Sequence, residues 1–182
     1  ILSGGGDNTA KLWTAEGKLI RIFKGHTCTI YQASFSPNDN TIVLGSCDNT
    51  ASVWTIQGKK LMVLKKHRSG ISAASFSQDG KSILTASFDK TAILWNAKGK
   101  PITTLKGHAG EINQAEFSSD GMLILTASED GTAMLWNIKG KRIKTFGESA
   151  VVDYTAAIFS KDRKFAIVSS KENKIEFWSL PE

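Results

Sequence analysis

The stretch HRSGISAASFSQDGKSILTASFDKTAILWNAKGKPITTLKG occupies residues 67–107 and contains four short runs rich in apolar and β-branched residues. The runs cover residues 71–76, 82–87, 91–95 and 101–105, and each has the length and composition of a β-strand. Between them lie polar turns with Asp, Asn or Gly where the backbone must reverse, and each turn is too short to hold a helix. The stretch therefore predicts one sheet of four antiparallel strands, which we name a, b, c and d in chain order.

The pattern recurs along the chain about every 41 residues. Three columns of residues keep this period: Trp13, Trp54, Trp95, Trp136 and Trp178; Asp7, Asp48, Asp89 and Asp130; and Phe35, Phe76, Phe117 and Phe159. A single four-stranded sheet cannot bury both of its faces, so it must stack against copies of itself. Radial stacking into a β-propeller is the usual outcome.

The repeated residues resemble the WD-repeat (WD40) family across essentially the whole chain, through Gly25-His26, Gly107-His108, the aspartate column and the strand-c tryptophans. The resemblance implies an all-β fold, a WD40-type β-propeller of four-stranded antiparallel blades. The chain would form a partial ring of about three full and two partial blades. The expected units are 1–25 (partial, strands b–c–d), 26–66, 67–107, 108–148, and 149–182 (partial and atypical, strands a–b–c). Since strands b and c are present at both ends, we expect further blades outside this sequence or pairing with another chain.

The resemblance also implies a hydrogen-bonded lock in each full blade, made by a histidine before strand a, a serine or threonine of strand b, an aspartate of the b–c turn and the strand-c tryptophan. The three sets are His26, Ser46, Asp48 and Trp54; His67, Ser87, Asp89 and Trp95; and His108, Ser128, Asp130 and Trp136. Thr85 and Thr126, two residues earlier on the same strand face, are alternative hydroxyls. Buried polar groups of this kind must be paired, so we interpret them as structural. In the last unit Ser149 and Glu172 stand in the histidine and aspartate positions, and we expect no lock there.

The repetition argues against catalysis. A Ser-His-Asp triad needs one exposed, pre-organised site, whereas these residues recur in three similar units. The histidines are spread one per unit, and Cys28 and Cys47 fall in different turns, so no metal site is predicted. Gly4-Gly5-Gly6 precedes a tight turn rather than a helix, which is not the context of a phosphate-binding loop. We therefore expect no enzymatic activity and no cofactor.

In the WD40 family, partners usually dock on the face that bears the d–a and b–c loops. The residues of this sequence at the matching positions that we expect to contact a partner are Tyr31, Phe88, Glu111, Asn113, Glu129, Asp153 and Lys171. Tyr31 and Phe88 are side chains of the kind that dominates interface energy, and the acidic residues suit a basic segment. The sequence thus predicts a protein or peptide partner, recognised by a non-catalytic scaffold.

The formal net charge of +6 leaves an alternative. Cations cluster in or beside the c–d turns, on the opposite face: Lys18, Lys59, Lys60, Lys98, Lys100, Lys139, Lys141 and Arg142. Nucleic acid or an anionic lipid surface could bind there, but aromatic side chains for base stacking are missing, and lysines also protect edge strands from aggregation. No apolar run is long enough to predict a membrane span. The scarcity of cysteine favours a reducing compartment, so we expect the cytoplasm.

Overall fold

The computed structural model describes residues 1–147 and 154–181, and in these two ranges the regular structure is entirely antiparallel β. The strands form five sheets. The first comprises β1 (Leu2–Gly4), β2 (Thr9–Trp13) and β3 (Leu19–Lys24). The second comprises β4 (Ile30–Phe35), β5 (Thr41–Ser46), β6 (Thr50–Thr55) and β7 (Lys60–Lys65). The third comprises β8 (Ile71–Phe76), β9 (Ser82–Ser87), β10 (Thr91–Asn96) and β11 (Pro101–Lys106).

The fourth sheet comprises β12 (Ile112–Phe117), β13 (Leu123–Ser128), β14 (Ala133–Asn137) and β15 (Arg142–Phe146). The fifth comprises β16 (Tyr154–Phe159), β17 (Phe165–Ser170) and β18 (Ile175–Ser179). In every sheet, strands adjacent in sequence are hydrogen-bonded neighbours. The five sheets are called blades 1 to 5 below. Among the predicted functional residues, Ser149 and Asp153 lie outside the described residues.

The hydrophobic core is divided into layers between successive blades. One layer packs Val43, Val53 and Leu64 of blade 2 against Ile83 and Trp95 of blade 3. Equivalent layers join blades 1 and 2, blades 3 and 4, and blades 4 and 5. Because strands alternate their side chains between two faces, each middle blade contributes to two layers. The stacking predicted from the repeat is therefore present.

The ring is not closed within the part of the chain that the structure describes. Ile175 and Phe177 of β18 are each 66% exposed on blade 5. In a middle blade, the corresponding face of the sheet is covered by the next blade. The prediction of an all-β, partial propeller is confirmed, with three four-stranded and two three-stranded sheets.

A β-bulge recurs where the innermost strand begins to pair with its neighbour. The pairing skips one residue in each of blades 2 to 5, and these residues are Tyr31, Ser72, Asn113 and Thr155. A bulge releases one residue from the ladder and redirects its side chain. Each bulge lies at the end of the blade that carries the d–a and b–c loops. The bulge thus presents one side chain per blade at the predicted interaction face.

Candidate functional site: the interaction face and its hydrogen-bonded frame

A continuous series of hydrogen bonds lies beneath the predicted interaction face in blade 3 and runs from Asp89 to Trp95. His67 Nδ1 is 2.9 Å from Asp89 Oδ2, and His67 Nε2 is 2.8 Å from Thr85 Oγ1. The indole Nε1 of Trp95 donates to the same Thr85 hydroxyl at 2.8 Å. The histidine, threonine and tryptophan are buried, so each polar atom is satisfied by another member of the series.

Blade 4 repeats this arrangement. His108 is 2.9 Å from Asp130 Oδ2 and 2.7 Å from Thr126 Oγ1, and Trp136 donates to Thr126 at 2.9 Å. In both blades the aspartate also accepts the backbone N–H that follows the histidine, from Arg68 in blade 3. The aspartate therefore ties the d–a loop to the b–c turn, which are the two loops of the interaction face.

These networks favour a neutral imidazole. Burial lowers the pKa of His67 and of His108 below the ordinary value, against the opposing influence of the paired aspartate. Burial, the largest single influence on the pKa of Asp89, would raise it, but hydrogen bonds from Thr91, Arg68 and His67 together hold it below its usual range. We assign the proton to Nδ1, so that the histidine donates to the carboxylate and accepts the threonine hydroxyl at Nε2.

The structure corrects the prediction that the strand-b serines bond to the histidines and tryptophans. The serines of strand b lie two residues closer to the b–c turn than Thr85 and Thr126 do. They do not bond to the histidines; these serines are Ser46, Ser87 and Ser128. Instead, each of their hydroxyls accepts the backbone N–H of the turn aspartate, at 3.0 to 3.2 Å. Ser46 and Ser87 also donate to a d–a loop carbonyl at 3.0 Å. The alternative hydroxyls, those of Thr85 and Thr126, are the ones that bind histidine and tryptophan.

Blade 2 makes the same lock from a different strand. Leu44 occupies the position of Thr85, and the hydroxyl is supplied by Ser52 on the neighbouring strand c, which pairs directly with Leu44. Ser52 Oγ is 2.6 Å from His26 Nε2 and accepts from Trp54 Nε1 at 2.7 Å, while His26 Nδ1 is 2.7 Å from Asp48. Ser52 was not among the residues predicted for the lock. Its signal was a serine where the other full units have Ile93 and Met134.

The terminal blades use reduced or altered versions of the lock. In blade 1 the Trp13 indole donates to Ser3 at 2.9 Å. In blade 5 the carboxylate of Glu176 accepts from the Tyr154 hydroxyl at 2.5 Å and from the Trp178 indole at 3.1 Å. Glu172, which stands in the aspartate position, pairs with Lys174 instead. The histidine-based lock is thus replaced by a Tyr154–Glu176–Trp178 cluster, which sequence reasoning did not anticipate.

The predicted interaction face carries an aromatic pair. Tyr31 is 51% exposed and meets the half-buried Phe88 ring edge-on, with 5.7 Å between the ring centroids. Gly70 lies against this pair, because a Cβ there would be 3.2 Å from Phe88 Cδ2 and 3.1 Å from Cys47 Cα. The two predicted anchors therefore contact each other and form one patch across blades 2 and 3.

A disulfide joins the loops beside this patch. Cys28 of the d–a loop and Cys47 of the b–c turn are bonded, with their Cα atoms 5.3 Å apart. The two cysteines were expected in different turns, and no bond between them was predicted. The two turns are in fact adjacent, because the d–a loop and the b–c turn of one blade lie side by side. The bond covalently fixes the segment that presents Tyr31.

The other predicted contact residues are partly engaged within the protein. Asn113 donates to the Tyr154 carbonyl of the next blade at 2.9 Å, so its amide joins two innermost strands. Glu129 forms an ion pair with Lys171 at 2.9 Å. Glu111 is exposed and has no ion pair within the described residues. The acidic character expected of this sector is therefore reduced where the structure describes it, because one acid is neutralised by a predicted contact residue.

The cations of the c–d turns lie on the opposite face and are exposed. Two of them pack inward against their own blades. Lys60 Nζ lies 4.7 Å from the ring centroid of Trp54, and Arg142 Nη1 approaches Met134 Sδ at 3.9 Å. These two cations therefore have a packing role.

A comparison with family models identifies the fold family. The model described as WD domain, G-beta repeat matches residues 17–55, 58–96 and 99–137. The chain belongs to the WD40 repeat family. Each matched segment contains strand d of one blade and strands a to c of the next, so each WD40 repeat covalently links two neighbouring blades. A search of curated proteins found no significant match to the chain.

Two further findings concern the described residues alone. Within residues 1–147 and 154–181, no group of three or more His, Cys, Asp and Glu side chains is placed to hold a metal ion. In the same residues, no helix is long and apolar enough to cross a membrane.

Proposed function

We propose that this WD40 chain is a non-catalytic scaffold that binds a protein or peptide on the face formed by its d–a and b–c loops. The observation that carries the proposal is the exposed Tyr31 ring packed edge-on against Phe88. Aromatic rings that are already fixed in place lose little conformational entropy on binding, and they supply much of the energy of protein interfaces. The frame of locks and the Cys28–Cys47 bond hold these rings in position before a partner arrives.

The proposed partner inserts an apolar or aromatic side chain beside Tyr31 and places a basic residue near the acidic sector. Glu111 supports the basic residue, because its carboxylate is exposed and has no ion pair within the described residues. Glu129 contributes less, since Lys171 already neutralises it. We therefore weight the aromatic anchor above the charge in the proposed recognition.

The cytoplasm remains the proposed location, on the scarcity of cysteine. The Cys28–Cys47 bond is an observation against it, because disulfides persist in oxidising compartments and are rare in the cytosol.

Affinity capture with matched variants tests the proposal. The chain, Tyr31→Ala, Phe88→Ala and a control, Ile102→Ala, are used as baits in extracts of the source cells, and captured proteins are quantified by mass spectrometry. Ile102 is 54% exposed on strand d, away from the interaction face, so its variant removes a similar exposed apolar side chain elsewhere. We expect Tyr31→Ala and Phe88→Ala to lose the same partner by about tenfold or more while Ile102→Ala keeps it.

Two results would contradict the proposal. One is equal capture by all four baits. The other is capture that disappears after nuclease treatment or in elevated salt, which would indicate nucleic acid bound through the basic c–d turns.

A further inference from the structure

A cleft of about 620 Å³ opens on the side of blade 3. It lies over the two outer strands, β10 and β11, on the face of the blade turned toward blade 2. Its lining includes Lys66, Arg68 and Lys106 together with Asp89, Thr91 and Thr104. The volume is within the range of sites that hold small ligands or short segments of chain.

The charges in the cleft are not balanced. Lys66, Arg68 and Lys106 are exposed, and within the described residues no carboxylate forms an ion pair with any of them. Lys66 Nζ donates only to the Thr104 hydroxyl, at 3.3 Å. Asp89 also lines the cleft, and its lowered pKa keeps it ionised, so it offsets one of the three positive charges. The cleft therefore presents three cations and one carboxylate, which leaves an excess of two positive charges.

Blade 3 differs from blades 2 and 4 in residues that line this cleft or lie on its outer strand β11. In blade 2, Lys60 of strand d covers the Trp54 ring. The lysine has room because the facing residue is Gly25. A side chain at that position would place its Cβ only 2.6 Å from Lys60 Nζ. Blade 4 has the same combination of a strand-d cation, Arg142, and a facing glycine, Gly107. A Cβ built on Gly107 would lie 3.4 Å from Arg142 Nη1.

In blade 3 both positions of this combination are changed. Pro101 replaces the strand-d cation, and Lys66 replaces the glycine. Pro101 has no long side chain that could pack over the outer strands as Lys60 and Arg142 do in blades 2 and 4. Arg68 is a third change, since the corresponding residues are Thr27 and Ala109. Lys66 and Arg68 therefore come from substitutions specific to this blade, whereas Lys106 has counterparts in Lys24 and Lys65 of blades 1 and 2.

We propose that this cleft binds an acidic peptide segment, whose closely spaced carboxylate or phosphate oxygens pair with Arg68, Lys66 and Lys106. Guanidinium and ammonium groups form charge-assisted hydrogen bonds with both kinds of oxygen. A peptide fits better than a nucleic acid, because the cleft lining has no aromatic ring for base stacking and the cleft covers only one blade. The site shares no lining residue with the Tyr31–Phe88 patch and recognises the opposite charge, so it does not rest on the proposed function above.

Fluorescence anisotropy with defined probes tests this site. The probes are fluorescein-labelled Gly/Ser peptides of equal length with a central run of glutamate, a central phosphoserine, or a central run of glutamine, and a labelled single-stranded oligonucleotide. We expect the glutamate or phosphoserine peptide to bind and the glutamine peptide not to bind. Stronger binding of one acidic peptide than of the other identifies which source of negative oxygens the cleft prefers.

Matched variants locate the binding. Arg68→Ala/Lys106→Ala removes two charges from the cleft, and Lys98→Ala/Lys100→Ala removes the same number from the c–d turn of the same blade. Lys66→Gly/Pro101→Lys keeps the net charge and copies the arrangement of blade 2. We expect the first and third variants to weaken binding at least about tenfold and the c–d turn variant to bind like the parent chain. Thermal unfolding of each variant verifies that it is folded.

Three results would overturn the proposal. They are no binding of either acidic peptide, equal loss in the cleft and c–d turn variants, and oligonucleotide binding that is tighter than peptide binding and is lost with the cleft variants.

Discussion

At the scale of single residues, the locks show that the hydroxyl matters more than the strand that supplies it. In blade 3 the hydroxyl comes from Thr85 on strand b, and in blade 2 it comes from Ser52 on strand c. In both cases one oxygen lies between the histidine Nε2 and the indole N–H. The exchange is possible because the two positions are paired across the strands, and their side chains lie on the same face.

Thr85→Val should therefore destabilise the protein far more than its small change in volume suggests. The variant leaves the Trp95 N–H and the His67 Nε2 buried without a partner, and each such group costs about 1 to 3 kcal/mol. We expect the free energy of unfolding in urea to fall by about 2 to 4 kcal/mol. Thr85→Ser keeps the hydroxyl and should cost about 1 kcal/mol for the lost methyl group. Equal losses for the two variants would show that the hydroxyl is not a structural partner.

In blade 2 the lock should depend on the Ser52 hydroxyl as blade 3 depends on that of Thr85. Ser52→Ile alone should cost about 2 to 4 kcal/mol, because His26 and Trp54 lose their shared oxygen. Adding Leu44→Thr recreates the arrangement of blade 3 and should restore much of the loss. A double-mutant cycle measured by urea unfolding should give a coupling of about 1 to 3 kcal/mol. Additive effects would mean that a threonine at position 44 does not reach the histidine.

The sequence could predict which columns form the lock but not which hydroxyl closes it. Periodicity identified His67, Asp89 and Trp95, because one residue type stands at each position in every full blade. The serine column was also invariant in these blades, so it appeared the better candidate. The choice between Ser87 and Thr85 depends on distances of a few ångströms across a pleated sheet, and the spacing in the sequence does not supply them.

At the scale of loops and strands, the interaction face depends on how the d–a loop is held beside the b–c turn. In blades 3 and 4 the aspartate and the histidine join these loops by hydrogen bonds alone. Blade 2 has the same bonds and adds the Cys28–Cys47 disulfide. The blade with the covalent bond is also the one that presents Tyr31, the exposed aromatic residue of the face.

Replacing both cysteines should therefore loosen the face. The bond closes a loop with a sequence separation of 19 residues, for which the chain-entropy account gives about 3 kcal/mol. We expect Cys28→Ser/Cys47→Ser to lower the free energy of unfolding by about 2 to 3 kcal/mol. A reducing agent should destabilise the parent chain by a similar amount and leave the double variant unchanged. Thiol alkylation and mass spectrometry of the parent chain should detect no free cysteine, whereas two alkylated cysteines would contradict the bond.

The disulfide and the blade 5 cluster show where prediction from strand pattern ends. The cysteines are separated by a whole strand pair, and their adjacency follows only once both loops are placed at the same end of the sheet. Tyr154 and Glu176 replace a histidine and a strand-b hydroxyl with different residue types at different positions. A comparison of columns records such a blade as a loss of the pattern, although its polar groups are still paired.

At the scale of the whole molecule, the repeat positions every blade and leaves function to the residues that break the repeat. Phe88, Tyr31 and the bulge residues differ from blade to blade at the interaction face, while the apolar layers between the blades are nearly uniform. The side cleft owes its blade-specific charges to the same kind of change, at Lys66 and Arg68. Layers that are shared by successive blades also couple their stability, so a change in one lock is expected to weaken the adjoining interfaces.

That coupling makes the pH dependence a property of the whole chain. Burial lowers the pKa of His67 and His108 below the ordinary value of 6.5, so near and below that pH the unfolded chain binds more protons than the folded chain. Stability should therefore fall as the pH drops from about 7.5 to about 5.5, by at most about 1.4 kcal/mol per pH unit for each histidine. The lowered pKa values of Asp48, Asp89 and Asp130 add a loss in the same direction below 3.8. Urea unfolding at a series of pH values measures this slope, and His67→Gln should reduce it by removing one of the two groups. A stability that is independent of pH between 7.5 and 5.5 would mean that the buried imidazoles accept a proton without leaving the lock.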